Sequence, residues 1–233
     1  MRLDKFLCET TDLTRSLAKK ALHRGEVNVD GEVIRNPAVH VGEGSAVDWL
    51  GKRLAPFGLR YLMMNKPLGV ECTTRAGRYQ TVLELIDLPK VERLHPVGRL
   101  DVDTTGLVLL TDDGQWSHRV TSPRTRCPKV YLASLAEPLQ DSMLETAIAA
   151  FAEGLLLDGE QQPTHPARLE ALSPERFRIT VTDGKYHQVR RMFAAIGNRI
   201  ETLHRESIGP LVLDPDLEPG ECRMLRDEEI AAF

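Results

Sequence analysis

Paired cysteines are missing from this chain of 233 residues. Its four cysteines (Cys8, Cys72, Cys127 and Cys222) lie far apart without a Cys-x-x-Cys pair, so neither a zinc site nor a disulfide framework is indicated. Long hydrophobic runs are missing too. No stretch nears the roughly 20 apolar residues that span a bilayer, and no apolar run follows Met1. These absences predict a cytoplasmic protein without a membrane partner. Nor does one sign of charge dominate, since 30 Lys and Arg stand against 34 Asp and Glu, a net of −4. What remains is ordinary: 42% apolar and 27% charged residues, at a length that allows one large domain or two unequal ones.

A negative total would argue against a nucleic-acid partner if the charge were evenly spread. It is not. Residues 201–233 hold nine acidic groups and three basic ones (Arg205, Arg223, Arg226), which leaves the rest of the chain at +2. Residues 1–24 hold six basic groups and three acidic ones. Screening cuts off distant charge within about 10 Å at ordinary salt, so a local basic face attracts phosphates whatever the sum. The charge permits RNA or DNA without demanding either.

Residues 1–49 read as two short amphipathic helices followed by small strands. Leu3, Phe6 and Leu7 form the first apolar face; Thr14 stands as N-cap of a second helix, Arg15 to His23, and Gly25 ends it. Asp30-Gly31 between alternating residues signals a hairpin. On the second helix Arg15 and Lys19 are four apart, as are Lys20 and Arg24. Like charges at that spacing repel slightly, so they are odd choices for stability alone, though a solvated face reads equally well. Residues 50–59 read as a linker, and residues 60–233 as a second, larger domain.

In that domain short strands and helices alternate irregularly. Tyr61 to Asn65 is an apolar run broken by Pro67 and Gly69; Thr81 to Ile86 and Asp112 to Val120 read as helices. Lys129 to Leu135 is a strand, Leu139 to Phe151 a helix, Phe177 to Val181 a half-buried strand, and His187 to Ile196 a helix. Without βαβ repeats this order predicts an α+β fold, its sheet mainly antiparallel or mixed and flanked by helices.

One polar loop stands out between two apolar stretches: Gly98-Arg99-Leu100-Asp101-Val102-Asp103-Thr104-Thr105-Gly106-Leu107. It places a carboxylate where the chain turns, and loops on rigid strands are where reacting groups usually sit. A calcium loop fails here: Asp112 stands where Glu belongs, and Leu107 to Leu110 reads as a strand rather than a helix.

Two resemblances follow from these segments. Arg2-Leu3-Asp4-Lys5-Phe6-Leu7, Thr14 to Ala18 and Gly25 to Gly31 resemble the S4 domain, a small αL-type RNA-binding module. That likeness implies that Arg2, Lys5, Arg15, Lys19, Lys20 and Arg24 face RNA phosphates. Arg99-Leu100-Asp101, Lys129-Val130-Tyr131 and Gly184 to Met192, in this order, resemble the catalytic motifs of pseudouridine synthases. The whole chain looks like the RsuA branch, bacterial ribosomal RNA enzymes with an N-terminal S4 domain; Asn65 to Gly69 and Thr111 to Gly114 fit it too.

The resemblance implies that Asp101 is the essential carboxylate, either attacking ribose C1′ or removing the 2′ proton. Tyr131 would stack on an extruded uracil and assist removal of its C5 proton. Arg190 would be the cation beside Asp101, with Arg99, Thr104, Lys129 and Val189 supporting the site. Lys66, Lys185 and Arg191 would join the RNA contacts. His118 and His187 are set aside as scaffold or RNA contacts, because the family chemistry uses no histidine base. No cofactor or metal is implied. The expected partner is 16S rRNA or the assembling small subunit, acted on by a monomer. A 23S uridine is the alternative target, and an S4-type RNA-binding protein without catalysis is the rival class.

Overall fold

The computed structural model describes residues 1–42, 44–55, 58–75 and 77–233. Two units divide it, Met1–Gly58 and Leu59–Phe233. In the first, α1 (Leu3–Thr10) and α2 (Arg15–His23) precede a four-stranded antiparallel sheet in the order β2-β1-β3-β4. Its strands are β1 (Val27–Val29), β2 (Glu32–Val33), β3 (Val47–Trp49) and β4 (Lys52–Leu54). Thr14 caps α2, its side chain accepting from the Leu17 amide. Asp30 and Gly31 both take positive φ (53° and 91°), as a tight hairpin turn requires. Leu3, Phe6, Leu7, Ala18, Leu22, Val27, Val41 and Val47 form the core.

The expected linker at residues 50–59 is corrected in its first half. Leu50-Gly51 turns with φ of 50° and 77°, and β4 pairs back on β3 through Val47 and Leu54. Short strands give too weak an alternation to be read as a hairpin. Pro56 and Phe57 of that stretch lie outside the described residues.

The second unit holds a mixed sheet in the order β13-β5-β7-β11-β8-β10-β9. These strands are β5 (Tyr61–Lys66), β7 (Thr105–Thr111), β8 (Lys129–Leu135), β9 (Arg168–Ala171), β10 (Arg176–Val181), β11 (Ile200–Ile208) and β13 (Cys222–Met224); β6 (His95–Val97) joins β7 and β12 (Leu211–Val212) joins β11. The helices are α3 (Gly114–Thr121), α4 (Asp141–Glu153), α5 (Gln188–Ala195) and α6 (Asp227–Ala231). Along β7 the alternation sends Val108 and Leu110 into one apolar cluster, Leu107 and Leu109 into the opposite one. A third cluster, built around Phe151, Phe177, Met192 and Phe193, packs α4 and α5 on β8 and β10.

Strand β7 organises the site. Strand β5 runs antiparallel along one edge of it. Its other edge is shared: β6 pairs with Leu109 to Thr111, and β11 runs parallel to Thr105 and Gly106. The loop Gly98–Thr104 springs from the point where β6 gives way to β11.

Two acidic motifs prove structural. Asp112 takes the Arg60 amide at 2.7 Å and its Nε at 3.0 Å, while Asp113 caps α3 and accepts from the Tyr61 hydroxyl at 2.8 Å. The acidic C-terminal stretch is also partly spent internally. Arg223 bonds Asp214 and Glu229, and its bond to Glu229, with the Arg226 amide, holds the Glu229 carboxyl down at about 2.

Candidate active site

Leu100 is buried in the cluster beside β5 and β7, so its neighbour Asp101 points the other way, out of the core. The loop is pinned on both sides of that carboxylate. The Thr104 amide donates to the Asp101 carbonyl at 3.1 Å, and the Gly69 amide donates to the Val102 carbonyl at 2.8 Å. Asp101 thereby lines a cleft of about 440 Å³ together with Arg99, Thr104, Lys129, Tyr131, Lys185, His187, Val189, Arg190 and Arg205. Three segments far apart in sequence meet there: 99–104, 129–131 and 185–190. No group of three or more His, Cys, Asp or Glu able to hold a metal is found among the described residues.

Arg190 departs from expectation. Its guanidinium pairs with Asp103 at 3.1 Å and donates to the Asp103 carbonyl at 3.0 Å, rather than to Asp101. It clamps the loop two residues beyond Asp101. The partner of Asp101 is His187, whose Nε2 lies 3.3 Å from Oδ1. No pattern in the sequence singles out His187; the structure does, because it precedes α5 with φ 47° and ψ 34°, a left-handed conformation that costs a non-glycine residue roughly 1 kcal/mol or more. Gln188 closes this turn, accepting from the Lys185 amide at 2.8 Å and donating to Asp183.

Arg205 is the other residue missed. It is buried on β11, donating Nε to the Leu107 carbonyl at 2.8 Å and Nη1 to the Tyr131 hydroxyl at 3.4 Å. Its Nη2 has no partner, and no carboxylate pairs with it among the described residues. A buried guanidinium without a counter-charge is costly, so its position behind Tyr131 in the cleft wall needs a reason beyond stability. Leu203, Arg205 and Ser207 share the inward face of β11, a placement that no apolar alternation in the sequence announces.

Several expected RNA contacts are corrected. Lys66 is fully buried; its Nζ donates to the Pro67 and Val70 carbonyls at 2.9 and 2.7 Å, and burial lowers its pKa. It braces the turn that carries the Gly69 amide to the loop Gly98–Thr104. Arg191 is consumed by Glu160, the Tyr186 carbonyl and the Asp158 carbonyl. Lys185 lines the cleft but pairs with Glu160 at 2.7 Å. Lys129 borders Tyr131 and donates to the Cys127 carbonyl at 2.9 Å; burial pulls its pKa down. Val189, on α5, is buried in the cluster around Phe151, Phe177 and Phe193 and lines the cleft, and Thr104 is buried with its hydroxyl unpartnered.

In the first unit Lys19 and Lys20 stand exposed on α2. Arg15 and Arg2 share the buried Asp4 carboxylate at 3.4 and 2.9 Å, which their charges hold below its usual range. Lys5 reaches Glu9 at 3.5 Å, and Arg24 reaches Glu26 at 2.6 Å.

A family model described as RNA pseudouridylate synthase matches residues 60–195, and one described as S4 domain matches residues 1–47. The chain belongs to the RNA pseudouridylate synthases, isomerases that relink uracil to ribose through carbon. Among its relatives, the ribosomal small subunit pseudouridine synthase A of Vibrio cholerae is 50% identical over all of this chain and 99% of its own. The protein of that name from Escherichia coli K12 is 48% identical, again over the full chain and 99% of its own. A crystal structure of a pseudouridylate synthase, 46% identical, covers 100% of this chain and 99% of its own with a TM-score of 0.71.

Proposed function

We propose that this enzyme isomerises one uridine of 16S ribosomal RNA, free or in the assembling small subunit, as a cytoplasmic monomer. In this reading residues 1–49 grip RNA and residues 60–233 do the chemistry. The observation that carries it is the meeting of Asp101, Tyr131 and the Asp103–Arg190 clamp at one cleft. Full-length relatives named for the small subunit support the choice of RNA.

Asp101 opens the N1–C1′ bond, by attack on C1′ or by taking the 2′ proton. Uracil leaves with the bond's electron pair, turns over against the Tyr131 ring, and bonds C1′ through C5, displacing the Asp101 carboxylate from C1′ in the first route and taking back the proton at C2′ from Asp101 in the second. C5 then loses its proton and N1 gains one, so the product is an isomer and no cofactor is consumed. The Arg205 charge behind Tyr131 favours negative charge on the departing base, since a buried cation is weakly screened.

Tritium at uracil C5 must be released by this reaction. Incubated with C5-tritiated 16S rRNA, free and in small-subunit particles, the enzyme is expected to release one tritium per target uridine. Release from 23S rRNA alone would keep the chemistry and overturn the target. Silence on both RNAs would favour the non-catalytic RNA-binding reading.

Replacing Arg15, Lys19, Lys20 and Arg24 with Ala tests the grip. Each phosphate contact contributes about 0.7–0.9 to the slope of log affinity against log salt, so the slope is expected to shrink by up to roughly 3. An unchanged affinity and slope would remove these residues from the RNA interface.

A further inference from the structure

Tyr186 has no structural work to do. Its side chain is 73% exposed, and its hydroxyl has no hydrogen-bond partner among the described residues. Its backbone is nevertheless held firmly: the Arg191 guanidinium takes its carbonyl at 3.0 Å, and the Gln188 side chain takes the amide of the preceding Lys185 at 2.8 Å. One ring face lies on His187, with centroids 3.8 Å apart and planes 19° from parallel. His187 in turn contacts Asp101 at 3.3 Å. The left-handed backbone of His187 supports this placement, setting the His187 ring in the cleft wall and the Tyr186 ring outside it, stacked on His187.

We infer that the open face of Tyr186 is a stacking platform for the nucleotide next to the target uridine. This rests on the reading of the cleft as a uridine site, and adds to it a determinant of which uridine enters. Uridine must place C1′ at Asp101 inside the cleft, so a residue outside and two contacts away meets its neighbour in the strand. The occupant is a base rather than a phosphate. Lys185, the chain neighbour of Tyr186, and Arg191, which holds the Tyr186 carbonyl, are both tied to Glu160, whereas the ring face is bare and every base has a π-face to lay on it. A ring already stacked and anchored loses little freedom when a base adds to the stack, so the platform is preorganised.

The test uses the full chain and a synthetic RNA spanning the mapped uridine, with binding measured in the Asp101→Asn background so that chemistry does not enter. Tyr186→Ala is expected to weaken binding by about five- to a hundred-fold, the range of one lost base–aromatic stack, and Tyr186→Phe to retain it within about two-fold. In the active enzyme the same loss should fall on KM, with kcat held within about two-fold. An abasic residue on one side of the target should weaken the parent protein equally and Tyr186→Ala no further. Unchanged binding in Tyr186→Ala would overturn the inference, as would additive losses or a fall in kcat alone. Absence of tritium release by the parent enzyme, with the binding differences intact, would instead overturn the isomerase reading and leave the platform standing.

Discussion

Asp101→Asn is expected to abolish C5 tritium release, by at least about a thousand-fold, while RNA affinity stays within a few-fold. The asparagine keeps the shape of the carboxylate but can neither attack C1′ nor accept the 2′ proton, so both routes stop together. The fold has little reason to notice. Side-chain exposure at Asp101 is 35%, and the loop is held by main-chain bonds at the Asp101 and Val102 carbonyls and by buried Leu100. Its contact with His187 at 3.3 Å is partly exposed and contributes little to stability.

The companion substitution Asp103→Asn separates the two carboxylates. Asp103 offers Arg190 a carboxylate at 3.1 Å but also a backbone carbonyl at 3.0 Å, and the second survives the change. A loss of about ten-fold or less is expected, because the clamp is weakened and not removed. Should Asp103→Asn silence the enzyme while Asp101→Asn works, the two roles would be exchanged and the assignment of Asp101 would fall.

Local chemistry was legible and long-range chemistry was not. Thr14 and the amphipathic run behind it gave α2 its true bounds, because a cap and a helical face are decided within a few residues. Strand β8 was equally readable, although Tyr131 on it was singled out by the family resemblance alone. Helix α4 was placed two residues early, since Leu139 is buried but its amide bonds the Pro174 carbonyl instead of a helical partner. Lys66 looked like a surface cation because its neighbours are polar and turn-forming; only the curl back to Val70 shows that it is sealed inside. Arg190 was expected beside Asp101, but two aspartates two residues apart compete for it and Asp103 takes it. Nothing local told Asp103 from Asp101. Arg205 stands on a strand whose partner in β7 lies nearly a hundred residues earlier, and no short-range pattern announces a parallel pairing of that span.

That pairing carries the largest expected stability effect. Gly106→Ala is expected to destabilise the second unit by roughly 3–5 kcal/mol, lowering its Tm by about 10 °C or more. A Cβ at residue 106 would lie 2.3 Å from the Arg205 carbonyl oxygen and 2.7 Å from its nitrogen, and both are backbone atoms of β11 with no side-chain freedom to yield. The φ of 102° adds strain that only glycine escapes. Relief requires β7 and β11 to part at Thr105 and Gly106, the only parallel register joining the two strands that pair elsewhere with β5 and β8. Gly159→Ala is the control: its φ is 75°, but nothing lies within 4 Å of the added carbon, so strain acts alone at about 1 kcal/mol. If Gly106→Ala melts within about 3 °C of Gly159→Ala, the close approach of the two strands is not what sets this glycine. If the gap is large, the same contact that demands glycine also explains how Arg205 comes to lie behind Tyr131, because the strand that crowds residue 106 is the strand that delivers the guanidinium to the cleft wall.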